Sequence, residues 1–349
     1  MSERSTPATE RADGSSTAGS DPGTESLQRN EFVVRKEKLY GWLIALCAVL
    51  TVLVTVGIIF ALSGQALVFW GEISPIAFFT GTKWSPIIDN AYGVLPLVSG
   101  TLIVTLCSAL IALPIGLAAA IYLSEYASER ARSALKPALE ILAGVPTVIY
   151  GYMALVYITP LFQELFPLSV QLIPSWLPIV PEFTLAIPAV QTFNALSASI
   201  VVGIMIIPMV SSISEDALGA VPDSLRQAGY GLGSTKFDVS TKIVVPAATS
   251  GIVASYVLAI SRAIGETMAV TMAMGMSPQM PHFPNVLTNL ADSSQTITAA
   301  MVQIAGADSL GHGPTYESMF ALGLTLFCIT LSMNALAELV RRRFREVYE

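Results

Sequence analysis

Apolar residues in this chain do not recur with the period of a soluble helix but continue in long runs. Six stretches, about 39–62, 97–123, 137–162, 193–213, 248–275 and 317–340, are mostly apolar. Each has the roughly 20 residues that a helix needs to cross the hydrocarbon core of a bilayer. Pro114, Pro146, Gly151 and Pro208 interrupt several of them, which membrane helices tolerate better than soluble ones do. The pattern predicts an all-α, polytopic membrane protein with six transmembrane helices. It also predicts a division of the chain into a polar tail over 1–34, a first helix with an external segment over 35–96, a helical core over 97–340 and a basic end over 341–349.

Composition agrees with a membrane protein. The 349 residues are 53% hydrophobic and 12% charged, where soluble domains carry roughly 25% charged residues. Mean hydropathy is +0.64. Within the tail, residues 1–31 are rich in Ser, Gly, Thr and Glu and lack aromatics. It cannot bury enough apolar surface to fold and has no apolar segment of the signal-peptide kind, so it is expected to be disordered. Cys47, Cys107 and Cys328 lie in apolar runs without CxxC spacing, and their expected role is small apolar packing. His282 and His312 have no paired ligand spacing. Neither a metal site nor a cofactor is expected.

Charge adds orientation. Arg35, Lys36, Lys38, Arg130, Arg132, Lys136, Arg226, Lys236, Lys242, Arg341, Arg342, Arg343 and Arg345 flank the spans on one side, and the alternate loops hold only Lys83. By the positive-inside rule both termini are cytoplasmic, in a multi-pass protein of the cell membrane. Trp70, Trp84 and Trp176 lie in the proline-rich outer loops, where an interfacial aromatic belt is the expected role.

The loop over 215–247, between spans four and five, is polar but patterned. Pro222 suits a first helical turn. Leu225, Ala228 and Leu232 share one face of a short amphipathic helix, and Gly233 suits a stop that needs positive φ. Thr235 and Asp238 then form a capping-box-like start for a second helix. The prediction is a helix–glycine–helix elbow able to insert into a groove on another protein. No GxxxxGK[ST] occurs in the chain, so any ATP that drives it must be bound by a partner.

At this loop the chain resembles a known family. Gln227-Ala228-Gly229, Gly233, Ile243 and Val245-Pro246 fall at the spacing of the EAA loop of ABC-importer permeases, with Gln for Glu, Gly for the second Ala and Val for Leu. "YGVLPLVSGTL" (92–102), "LEILAGVPTVIYGY" (139–152) and "AISRAIGETMAV" (259–270) narrow the resemblance to the PstC family of phosphate-type permeases, over roughly 90–345. The resemblance implies a type I importer permease of MetI-like fold. It implies that Arg226, Gln227, Ala228, Gly229, Gly233, Ile243 and Pro246 form the ATPase-coupling loop. It also implies a PstA-like second permease, two PstB-like ATPase subunits and a PstS-like phosphate-binding protein as partners. The chain itself is then not an enzyme and has no catalytic residues.

The family further implicates Arg262 and Glu266 in phosphate passage, and independent chemistry is compatible with that. At i and i+4 the two side chains would share one helix face. A charge at the centre of a membrane helix costs about 2.5–3.5 kcal/mol on the insertion scale, so such residues are functional candidates. The guanidinium fork can give an oxyanion two parallel hydrogen bonds, and Ser261 and Thr267 could add neutral donors. A buried pair that only sets helix packing is the bland alternative. Other readings are a permease for sulfate, molybdate or tungstate, and a self-sufficient secondary transporter. The transporter reading is weakened because no clear internal repeat is visible.

Overall fold

The computed structural model describes residues 31–165, 168–171, 184–187, 189–282, 285–307 and 313–345. The tail up to residue 30, Trp176 and His312 lie outside them. The chain divides into two units, 1–58 and 59–349. The first unit holds the start of helix α1 (Glu31–Glu72), which already includes the last residues of the expected tail. Its side chains over 35–58 are exposed and mostly apolar on every side, as suits a helix surrounded by hydrocarbon.

The second unit begins within α1 and continues through α2 (Pro75–Thr80) and a two-residue hairpin, β1 (Trp84–Ser85) against β2 (Ala91–Tyr92). Helix α3 (Leu95–Ile121) is the second span and ends in a π-helical turn over Tyr122–Tyr126. The expected third span, 137–162, is divided. Helix α4 (Glu129–Ala143) stands apart, capped by Ser128. The apolar stretch restarts after Pro146 as α5 (Thr147–Met153), a π turn and α6 (Thr159–Leu165). The reason is Gly144 together with Pro146, because proline forces the residue before it out of the helical region. A second hairpin, β3 (Leu168–Gln171) with β4 (Thr184–Ile187), precedes α7 (Ala195–Gly219), the fourth span.

The elbow follows as α8 (Asp223–Gly231), α9 (Lys236–Val239), a π turn over Ser240–Val244 and α10 (Val245–Ala247). A bend of 71° leads into α11 (Thr249–Ile264). After α11 come α12 (Met268–Met274), α13 (Val286–Ala291), α14 (Ile297–Ala305) and α15 (Pro314–Arg345). Five helices of the described residues are long and apolar enough to cross a membrane, or six if the bent pair around residue 248 counts as one span. The segment 276–316, expected to be a simple outer loop, contains α14, whose Ile297, Ala299, Ala300 and Ile304 are buried. At nine residues α14 is too short to register as a span.

Three apolar clusters hold the second unit together. The largest joins α3, α5, α7, α11 and α12 through Val104, Tyr150, Val202, Ile206, Ala263, Ala269 and Met274. A second, near the first hairpin, packs Phe69, Phe78, Trp84, Tyr92, Leu97, Ile304 and Leu322. The third, at the elbow, joins Ala120, Leu218, Val239, Val244 and Ile252. Helices cross closely where side chains are small, as in membrane bundles generally. A methyl group on Gly116 would lie 2.7 Å from Val210 Cβ, and one on Gly251 would lie 2.4 Å from Ala217 Cβ.

Two expectations change here. Trp84 is buried edge-on against Tyr92 and so belongs to the interior rather than to a belt, while Trp70 is half-buried and packs on Phe78 and Phe79. Cys47 and Cys328 are exposed and do not fill core gaps.

Candidate functional site

Arg262 and Glu266 do not lie on one continuous helix. Helix α11 stops at Ile264 and α12 starts at Met268. The last turn of α11 is closed by Gly265 N–H donating to Ser261 O at 3.3 Å and Glu266 N–H to Ala263 O at 3.3 Å. Glu266 Oε1 then accepts from Ala269 N–H at 3.2 Å, so the carboxylate caps the first turn of α12. The sixteen residues of α11 extend about 24 Å at 1.5 Å per residue. The break interrupts the apolar run 248–275, and freed backbone groups in such a run need partners. One comes from α14, since Thr298 Oγ1 donates to Glu266 O at 2.9 Å. The sequence signal for this break is Gly265 followed by Glu-Thr, a helix stop next to a helix start, but the continuous apolar run hides it.

The four predicted pathway residues consequently separate. Glu266 is buried, at 7% exposure, and faces inward. Arg262 is exposed in the last turn of α11 and, among the described residues, makes no hydrogen bond or ion pair. Ser261 Oγ is taken up by Asn334 Oδ1 of α15 at 2.7 Å. Thr267 Oγ1 donates to Gly265 O at 3.2 Å. The expected ion pair between Arg262 and Glu266 is absent, because the break removes the i, i+4 relation on which it depended.

The elbow has the predicted form. Gly233 has φ +81°, and Ser234 N–H returns to Gly229 O at 3.2 Å. Thr235 Oγ1 accepts from Asp238 N–H at 3.2 Å and donates to Asp238 Oδ2 at 2.6 Å. The Lys242 ammonium, 2.6 Å from Asp238, and the Thr235 hydroxyl hold the Asp238 carboxyl below its ordinary range. Gly229 lets the two arms meet, since a methyl there would lie 2.7 Å from Ile243 Cδ1 and 2.9 Å from Val239 Cγ2. Gln227 and Ala228 are exposed, whereas Gly229 is buried and Ile243 and Pro246 are half-buried. Leu225, Leu232 (88% exposed), Tyr230 and Phe237 (66% exposed) complete an open apolar surface. Tyr230 and Phe237 were not singled out from the sequence.

Arg226 belongs to the interior of the chain. Its Nη2 donates to Glu125 Oε1 at 2.9 Å and to Leu218 O at 2.8 Å. Its Nη1 reaches Val221 O at 2.5 Å and Asp223 Oδ1 at 3.2 Å. The Glu125 carboxylate keeps the guanidinium pKa above its usual value. A second ionic cluster joins α4 to α7. Buried Glu215 pairs with Arg132 and, at 2.6 Å, with Lys136, which also reaches Asp216 at 2.9 Å. These carboxylates, Glu215 first, raise the Lys136 pKa. Sequence reasoning passed over Glu125 and Glu215, because polar residues at the end of an apolar run look simply solvated. Among the described residues no cluster of three or more His, Cys, Asp or Glu could hold a metal.

Residues 112–346 match the family described as "Binding-protein-dependent transport system inner membrane component". The chain belongs to that family. Among curated relatives, the phosphate transport system permease protein PstC of Pasteurella multocida is 34% identical over 80% of this chain and 85% of its own length. PstC of Xylella fastidiosa (strain Temecula1) is 32% identical over 84% and 89%. The probable ABC transporter permease protein YqgH of Bacillus subtilis is 31% identical over 82% and 85%. Among solved structures, a chain of a bacterial alginate ABC transporter, in complex with alginate pentasaccharide-bound periplasmic protein, aligns with a TM-score of 0.57. That alignment covers 88% of this chain and 96% of the solved one at 13% identity, a likeness of fold alone. The protein is thus a multi-pass membrane permease subunit with an ABC-importer permease fold.

Proposed function

We propose that this chain forms half of the translocation pathway of an ATP-driven phosphate importer. The observation that carries the reading is Arg262, an exposed cation with no partner among the described residues of its chain, beside a helix break in an apolar run. A guanidinium in such a run costs free energy, and a chain that keeps it unpaired leaves it available to a ligand or a second subunit. Relatives named as phosphate permeases support phosphate as that ligand. A rigid fork suits a tetrahedral oxyanion. Glu266, turned inward, fixes the break that positions Arg262 rather than neutralising it.

In this reading a PstA-like permease supplies the facing half. Two PstB-like subunits hydrolyse ATP beneath the elbow, and a PstS-like protein delivers phosphate at the hairpin side. The basic ends of the spans face the cytoplasm, as the positive-inside rule requires. Sulfate, molybdate and tungstate make similar demands on an arginine, and competition among these anions for uptake decides between them. The decisive experiment is Arg262→Gln in the assembled complex. Phosphate uptake is expected to be abolished while the subunits still co-purify, because an exposed, unpartnered side chain contributes little to packing. Normal uptake by the variant refutes the assignment.

A further inference from the structure

We infer that Arg226 is an internal strut that carries movement of the elbow into α3, and through α3 to the α11–α12 break. This rests on the reading of the elbow as the surface that meets the ATPase subunit.

The chain joins the elbow covalently only to α7 and α11. Arg226 adds a third, non-covalent connection. Its guanidinium holds Glu125, in the π turn that ends α3, together with the Leu218 and Val221 carbonyls at the end of α7. Glu125 is 5% exposed and Arg226 is 15% exposed. A buried carboxylate cannot part from its cation without a large desolvation penalty. Apolar contacts can slide, but a guanidinium bonded at several donors is directional. No donor group of Arg226 is left idle for a partner protein, while its neighbours Gln227 and Ala228 face outward. Arg226 thus faces inward, with Gly229, within a segment whose other side is open.

The far end of α3 meets the segment that leads into α14, next to the residue that holds the α11–α12 break. Roughly 35 Å of helix separates Glu125 from Thr101 at 1.5 Å per residue. Pro114 interrupts the hydrogen-bond ladder on the way, but the next turn is seated closely on α7, where Gly116 faces Val210. Gly100 lies against the backbone of Gln295, and Thr101 Oγ1 accepts from Ile297 N–H at 3.1 Å. The next residue, Thr298, holds the Glu266 carbonyl at the break. A displacement of α3 along its axis therefore acts on the residues that set the direction of α12 and the end of α11, where Arg262 sits.

The test uses the whole complex with its binding protein in proteoliposomes and measures phosphate taken up per ATP hydrolysed. R226Q and E125Q are expected to lower this ratio about tenfold, within the usual range of coupling between sites. ATP hydrolysis should persist and the subunits should still co-purify. R226K, which keeps a charge within reach of Glu125, should recover part of the ratio. If R226Q fails to accumulate, E125Q and R226K carry the same comparison. Combining R226Q with T298V gives the decisive readout, because two breaks in one route are no worse together than the worse one alone, whereas independent effects multiply. An unchanged ratio in R226Q, multiplying effects in the double variant, or loss of the ATPase subunit from the E125Q complex overturns the strut. A wild-type complex whose ATP hydrolysis ignores phosphate overturns the importer reading instead, and the strut is then scored on the oxyanion that does stimulate it.

Discussion

Gly100→Ala is a small perturbation with a large expected effect. An added methyl would lie 2.3 Å from the Gln295 carbonyl oxygen and 2.9 Å from Ser294 Oγ. Ordinary contacts of this kind begin near 3.4 Å. Relief therefore needs a shift of about 1 Å, and the obstacle is backbone rather than the end of a flexible side chain. Overpacking of this kind costs about 1–3 kcal/mol. Pulling α3 away also lengthens the bond from Ile297 N–H to Thr101 Oγ1, now 3.1 Å, for about 1 kcal/mol more. Against this, alanine gains about 1 kcal/mol over glycine in a helix interior. The net expectation is a loss of about 1–3 kcal/mol. Gly64→Ala is the matched control, since it lies in α1 with nothing within 4 Å of its added methyl, and there only the helical gain remains. The assay is the thermal midpoint of each purified variant in detergent. G64A should equal or exceed the wild type and G100A should melt below it. A G100A protein as stable as G64A refutes the close approach of α3 to the 294–297 backbone.

Three further outcomes can be checked. Thr298→Val removes the donor to the Glu266 carbonyl and leaves that group unsatisfied at a cost of about 1–3 kcal/mol, so amide exchange at residues 266–271 should accelerate while α7 is unaffected. Gly233→Ala places a side chain at φ +81° for about 1–2 kcal/mol, and proteolysis at the elbow should increase without change in the apolar spans. Lys136 has a pKa raised from its ordinary 10.5 by Glu215 and Asp216. The stability it contributes is complete below 10.5 and disappears as pH rises through the raised value. The thermal midpoint should therefore lose a contribution as pH rises above about the ordinary lysine range, and the difference in midpoint between the wild type and a Lys136→Met variant should shrink over the same rise.

Local rules were enough for the elbow. Gly233, Thr235 and Asp238 act through bonds to residues within five positions, so their roles follow from turn and capping chemistry whatever packs around them. Runs of apolar residues were likewise enough for most spans, since in a bilayer the helix must satisfy its own backbone. The same logic misled at residues 137–146 and 265–267. Hydropathy measures transfer to hydrocarbon and is blind to a helix that stops and restarts with its polar groups satisfied by another element.

The sequence by itself determined that this chain crosses a membrane several times, that it contains no GxxxxGK[ST] pattern, and that a patterned elbow precedes an apolar span holding an arginine and a glutamate. Those conclusions rest on composition and short-range geometry. Only the tertiary structure decided that Arg262 and Glu266 point different ways, because the partner that stabilises the break, Thr298, lies 32 residues further along the chain. It alone also showed Arg226 held by Glu125, 101 residues earlier. Long-range pairs of this kind leave no periodic mark in sequence, since any two distant positions are neighbours only once the helices have packed.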